Sequence, residues 1–91
     1  MPLTQDQWQQ TEHIVASAET VRAAAATLRE QLAPVRTLVL DALDMRGEQP
    51  ALSIAVNGGG GRAVYLMTTD GHCWSVTHDL AHASALVLTQ A

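Results

Sequence analysis

The chain has 91 residues, a 47% apolar content and a net charge of −4, values that suit one globular domain and exclude a disordered chain. It has no lysine, and Arg22, Arg29, Arg36, Arg46 and Arg62 stand singly among nine carboxylates, so no basic patch offers the phosphate contacts of nucleic-acid binding. A single cysteine, Cys73, excludes an intrachain disulfide.

No run approaches the roughly 18 apolar residues of a membrane span. The N-terminus has no basic region followed by an apolar stretch, so the expected setting is the cytoplasm. The apolar residues are mostly Ala, Val and Leu. Phe is absent, and Trp8, Trp74 and Tyr65 are the three rings, so the core must be largely aliphatic.

The first element in the chain is a long helix, predicted from about residue 5 to 32. Thr4 and Gln7 have the Thr-x-x-Gln form of a capping box, and Leu3 with Trp8 matches the hydrophobic staple. Ile14, Ala18, Val21, Ala25, Leu28 and Leu32 then step 4-3-4-3-4, a seam on one helix face. Pro34 cannot continue the hydrogen-bond ladder.

Residues 35–45 allow two readings. The stripe Val35, Leu38, Val39, Ala42 and Met45, with Gly47 as a stop, predicts a short second helix. The run Thr37-Leu38-Val39-Leu40 alone suits a strand. The helix is favoured, because Asp41 and Asp44 fall opposite much of the stripe.

After Pro50 the period changes to two. Strands are predicted at 51–57, 62–69 and 72–77, forming a three-stranded antiparallel meander. Gly58–Gly61 reads as the first loop and Asp70-Gly71 as a two-residue hairpin turn. These turns pair Ile54 with Tyr65, Leu52 with Met67, and Met67 in turn with Trp74. Leu52, Ile54, Val56, Tyr65, Met67, Trp74 and Val76 then share one face, with Trp74 as its anchor. The remainder, from Thr77, is expected to form a short helix or strand. The expectation is a single α+β domain over residues 1–91.

No constellation amounts to an active site. His78 and His82 have the i, i+4 spacing of zinc ligands, and His72 lies nearby, but the Glu of a metalloprotease helix is replaced by Asp79. Cys73 beside a histidine could make a nucleophile–base pair, yet its setting suits a small buried thiol better. Gly58–Gly61 lacks the Lys and Ser/Thr of a phosphate loop, and a strand rather than a helix follows.

The expected function is therefore a small non-catalytic protein-binding module, of the adaptor, inhibitor or immunity type, with no cofactor or metal. Its contact residues are Ile14, Ala18, Val21, Ala25, Leu28 and Leu32, and its first partner is a second copy of itself. A helix of about 28 residues spans about 42 Å, whereas strands of about six residues reach only about 20 Å, so part of the seam needs another cover. The alternatives are a metal-binding or metal-sensing protein using His72, His78 and His82, and a small enzyme using Cys73.

Overall fold

The computed structural model describes residues 3–55 and 61–90, and within them the chain is α+β: two helices on one face of a mixed five-stranded sheet. Helix α1 (Gln5–Ser17) starts as its sequence dictates. The Thr4 hydroxyl accepts from the Gln7 amide, and the Gln7 side chain accepts from the Thr4 amide. Leu3 is buried and Trp8 half-buried against the same core.

The predicted long helix is two helices. The chain is extended at Ala18 and again at Thr20, and Thr20 caps α2 (Val21–Gln31) by accepting from the Ala23 amide. The heptad spacing runs through this break unchanged, which is why apolar periodicity does not reveal it. A buried arginine from the sheet supplies the physical cause. Arg62 donates from Nη1 to the carbonyls of Val15 and Ala18, and from Nη2 to that of Glu19. Carbonyls that an unbroken helix would use internally are satisfied instead by a cation, at the negative end of the α1 dipole.

Residues 35–45 are not a helix. Strand β1 (Arg36–Val39) lies parallel to β5 (Ala85–Gln90), and a single 3-10 turn, Ala42–Met45, follows with Asp41 as its cap. The helical stripe was an alias. Alternation sends Thr37 and Val39 toward the helices and Leu38 and Leu40 to the outer face. The strand's partner lies some 50 residues downstream, so nothing local announces it.

The strand order is β1-β5-β3-β2, where β2 is Leu52–Ile54 and β3 is Arg62–Thr69. Strand β4 (Trp74–Thr77) also pairs with β3. The antiparallel pairings β2–β3 and β3–β4 agree with the sequence, but the meander does not. Strand β5 occupies one edge of β3 along residues 62–67, so β2 and β4 sit end to end on the other edge.

Both registers differ from those expected. Leu52 meets Val64 and Ile54 meets Arg62, an odd displacement that moves Leu52 and Ile54 to the face opposite Tyr65 and Met67. Thr69 meets Trp74, which leaves Asp70–Cys73 as a four-residue turn. Asp70 Oδ1 accepts from the amides of His72 and Cys73, wrapping the wider turn, and Gly71 takes a positive φ within it. The expected glycine loop, apart from Gly61, and the end of the expected first strand at Val56 and Asn57 lie outside the described residues.

The expected single apolar face therefore divides in two. Val64, Leu66, Leu86 and Leu88 face the helices and pack with Val15, Ala24, Ala25, Leu28 and Leu32. Tyr65 and Val87 face the other way, under Met45 from the 3-10 turn. Of the two forms expected for the C-terminal segment the strand is found: a 3-10 turn at Leu80–His82 leads into β5 at the centre of the sheet. No helix among the described residues is long and apolar enough to cross a membrane.

Candidate binding face

The outer face of the sheet is where apolar side chains are left in solvent. After β1 the chain crosses this face through Ala42–Met45 on its way to β2. Met45 is buried over Tyr65 and Val87, so that part of the face is covered. Between the crossing segment, β1 and β4 the face stays open. Trp74 is 49% exposed, Leu38 48% and Leu40 38%, while Leu43 on the crossing segment is 71% exposed.

The register explains the relief of this surface. Across the strands Arg36 aligns with Ala85, Ala85 with Met67, and Met67 with Val76. Ala85 is the small member of the row, so a depression forms over it. Leu38 and Leu40 wall it on the β1 side, Met67 and Trp74 on the other, and Val87 extends its floor. The resulting cleft has a volume of about 240 Å³.

Strand β1 is the edge strand on the β5 side of the sheet, and its edge is partly blunted. The Leu40 amide donates to the Leu88 carbonyl, so the even-numbered backbone groups of β1 turn toward β5 and those of Thr37 and Val39 turn away. The outward carbonyl of Thr37 is already taken, at 3.0 Å, by Nε of Arg29 from α2. An added strand would have to displace that guanidinium, a common protection of sheet edges. The open face carries no comparable obstruction.

The seam residues lie elsewhere. Val21, Ala25, Leu28 and Leu32 are buried in the chain's own core, and Ile14 and Ala18 are half-buried at its margin. With the helix broken in two, neither half outruns the sheet, and the argument from excess helix length falls away. On α1 the fully buried positions are Thr11 and Val15, off the expected seam. The Thr11 hydroxyl is satisfied by donating to the Gln7 carbonyl.

His78 and His82 do not share a helix face. His78 Nε2 lies 3.1 Å from the Gln49 carbonyl oxygen. His82 Nδ1 lies 2.8 Å from Asp79 Oδ2, on the far side of the short 3-10 turn. His72 sits in the β3–β4 turn, and no three His, Cys, Asp or Glu side chains among the described residues converge as metal ligands. Cys73 is exposed in that same turn, not buried as its sequence context suggested.

Two carboxylates are tuned by local backbone. The amides of Cys73 and then His72 hold Asp70 below the ordinary aspartate range. The amide of Ala81, followed by His82, does the same for Asp79. These are turn-forming arrangements on the surface. No protein-family profile, curated protein or solved structure matches this chain.

Proposed function

We propose that this protein is a small non-catalytic binding module that meets a protein partner through the outer face of its sheet. The observation that carries the reading is the exposure of Trp74, Leu38 and Leu40 around one cleft, with Leu43 exposed on the crossing segment. Large apolar side chains gathered on one surface are what partner contact consumes, and tryptophan is the residue most enriched at energetic centres of interfaces. Met67 and Arg36, also at this surface, belong to the residue types enriched there. The guarded edge of β1 favours docking on the face over strand addition at that edge.

The cytoplasm is the setting this reading takes, where a lone exposed thiol such as Cys73 stays reduced. Self-association is part of the proposal, with the outer face replacing the buried seam as the contact. A photo-crosslinking residue placed at position 43 should give a discrete protein adduct in cells, and one placed at exposed Glu30 on α2 should not. Light scattering of the purified chain identifies a second copy as the partner if it runs as a dimer and Trp74→Asp makes it monomeric. Equal, diffuse labelling from both positions would reject the outer face.

A further inference from the structure

We propose that the cleft over Ala85 is a binding site for a small amphipathic carboxylate, a short acyl chain or a single aromatic ring carrying one acid group. The inference rests on the outer face being the binding surface, and it assigns a chemical class to the cleft beside Trp74 in that surface. Three observations lead to it.

The first is size. At about 240 Å³ the cleft falls below the roughly 300–1,000 Å³ that takes a drug-sized ligand. A helix or a folded epitope cannot enter it, but one ring or a short chain can. Ala85 sets that depth, because a larger side chain between Arg36 and Met67 would fill the depression.

The second is the character of the lining. Leu38, Met67 and Trp74 supply the walls with aliphatic, thioether and indole surface, and no side-chain hydroxyl, amide or carboxylate lines the space. The one charged side chain in the lining is Arg36, at the β1 end of the row that crosses Ala85. Trp74 lies three strands away, about 14 Å at the usual strand spacing. A ligand lying across the sheet would thus have a cationic end and an aromatic end to meet.

The third is that Arg36 is uncommitted. Among the described residues its guanidinium has no ion-pair or hydrogen-bond partner, whereas Arg62 and Arg29 are both engaged with backbone carbonyls. A guanidinium offers a planar fork of donors that matches one carboxylate with two parallel hydrogen bonds. A phosphate group would gather several donors, and the cleft supplies one side chain. The complement of an apolar slot with a single arginine in its lining is a monocarboxylate with an apolar body.

The test is a titration of the ¹⁵N-labelled full chain with octanoate and, in parallel, with octanamide, its neutral counterpart. Octanoate should give saturable shifts at the Ala85 and Met67 amides and the Trp74 indole, with octanamide roughly tenfold weaker. Arg36→Gln should lower octanoate to the affinity of octanamide and leave octanamide unchanged. Trp74→Ala should weaken both. Equal binding of the two ligands, shifts centred elsewhere, or no saturable shift would overturn the proposal. If octanoate fails while the position-43 cross-link still forms, only the ligand assignment falls; if both fail, the outer face falls with it.

Discussion

Arg62 Nη1 donates to the carbonyl oxygen of Val15 at 2.8 Å, fastening the first residue of β3 to the end of α1 across 47 positions of sequence. The side chain is almost wholly buried, at 2% exposure, and it also reaches the carbonyls of Ala18 and Glu19. A buried cation without a carboxylate is ordinarily costly. Here the carbonyls at a helix C-terminus serve as its counter-charge.

Arg62→Met should therefore destabilise the fold by about 3 kcal/mol, since hydrogen bonds to charged groups contribute about 1.5–3 kcal/mol and the abandoned carbonyls stay buried. Arg62→Lys should recover only part of the loss, because one ammonium cannot span three carbonyls as a guanidinium does. Urea denaturation measures both. A loss under about 1 kcal/mol for Arg62→Met would mean that water satisfies those carbonyls as well.

The helix stripe gives a second prediction. Ala25 and Leu28 are fully buried between α2 and the sheet. Ala25→Glu should unfold the chain outright rather than convert an oligomer into a folded monomer, because a carboxylate there is desolvated with no partner. Leu28→Ala should cost about 2–5 kcal/mol, the usual range for emptying a leucine site. Far-UV circular dichroism separates the outcomes; a folded Ala25→Glu monomer would place this face outside the core.

How much of this was legible in the sequence depends on the range of each interaction. The α1 cap was readable because Leu3, Thr4, Gln7 and Trp8 are near neighbours in the sequence. The strand at 62–69 was readable from its alternation, and the position of the β3–β4 turn from Asp70-Gly71. What escaped were the consequences of distant pairing. Arg62 breaks the helix from 44 residues beyond Ala18, and β5 draws residues 36–39 into a parallel strand against their helical spacing.

Register was the third kind of failure. An odd shift between β2 and β3 exchanged faces, and with them the core and the candidate site. Trp74 keeps the face of Tyr65 and Met67, since the β3–β4 displacement is even, but the helices cover the opposite face and leave the indole half in solvent. The residues around it could be recognised only once β1, β5 and β4 were assembled.

The acid limb of stability supplies a third prediction. Asp70 and Asp79 both titrate below their unfolded range because backbone amides hydrogen-bond to the ionised carboxylates. A depressed folded pKa adds stability above the unfolded value of about 3.9, and that contribution disappears as pH falls through the folded value. The melting temperature should hold near neutrality and fall as the pH drops below about 4. With Asp70→Ala and Asp79→Ala combined, it should start lower at neutral pH and lose less in acid. Both carboxylates lie at the surface, so the effect should be small and confined to that window. An unchanged acid slope in the double variant would assign the acid sensitivity to other groups.

The last prediction separates surface from core at the two faces of one sheet. Trp74 and Leu66 lie on adjacent strands, yet Trp74 is half in solvent and Leu66 is buried against the helices. If Trp74 were the sheet's anchor, its removal would cost about 3–5 kcal/mol. At its observed exposure much of the indole gains little from folding, so Trp74→Ala should cost under about 1.5 kcal/mol. Leu66→Ala should cost about 2–5 kcal/mol, although it removes the smaller side chain. Binding should show the reverse order. Trp74→Ala should abolish the position-43 cross-link, whereas a partially destabilised but folded core variant such as Leu66→Val should keep it. Chemical denaturation of Trp74→Ala and Leu66→Ala, and cross-linking of Trp74→Ala and Leu66→Val, give the four measurements. A Trp74→Ala variant that loses stability like a core residue would mean that the indole is covered within the monomer, and the outer face could then not be the contact surface.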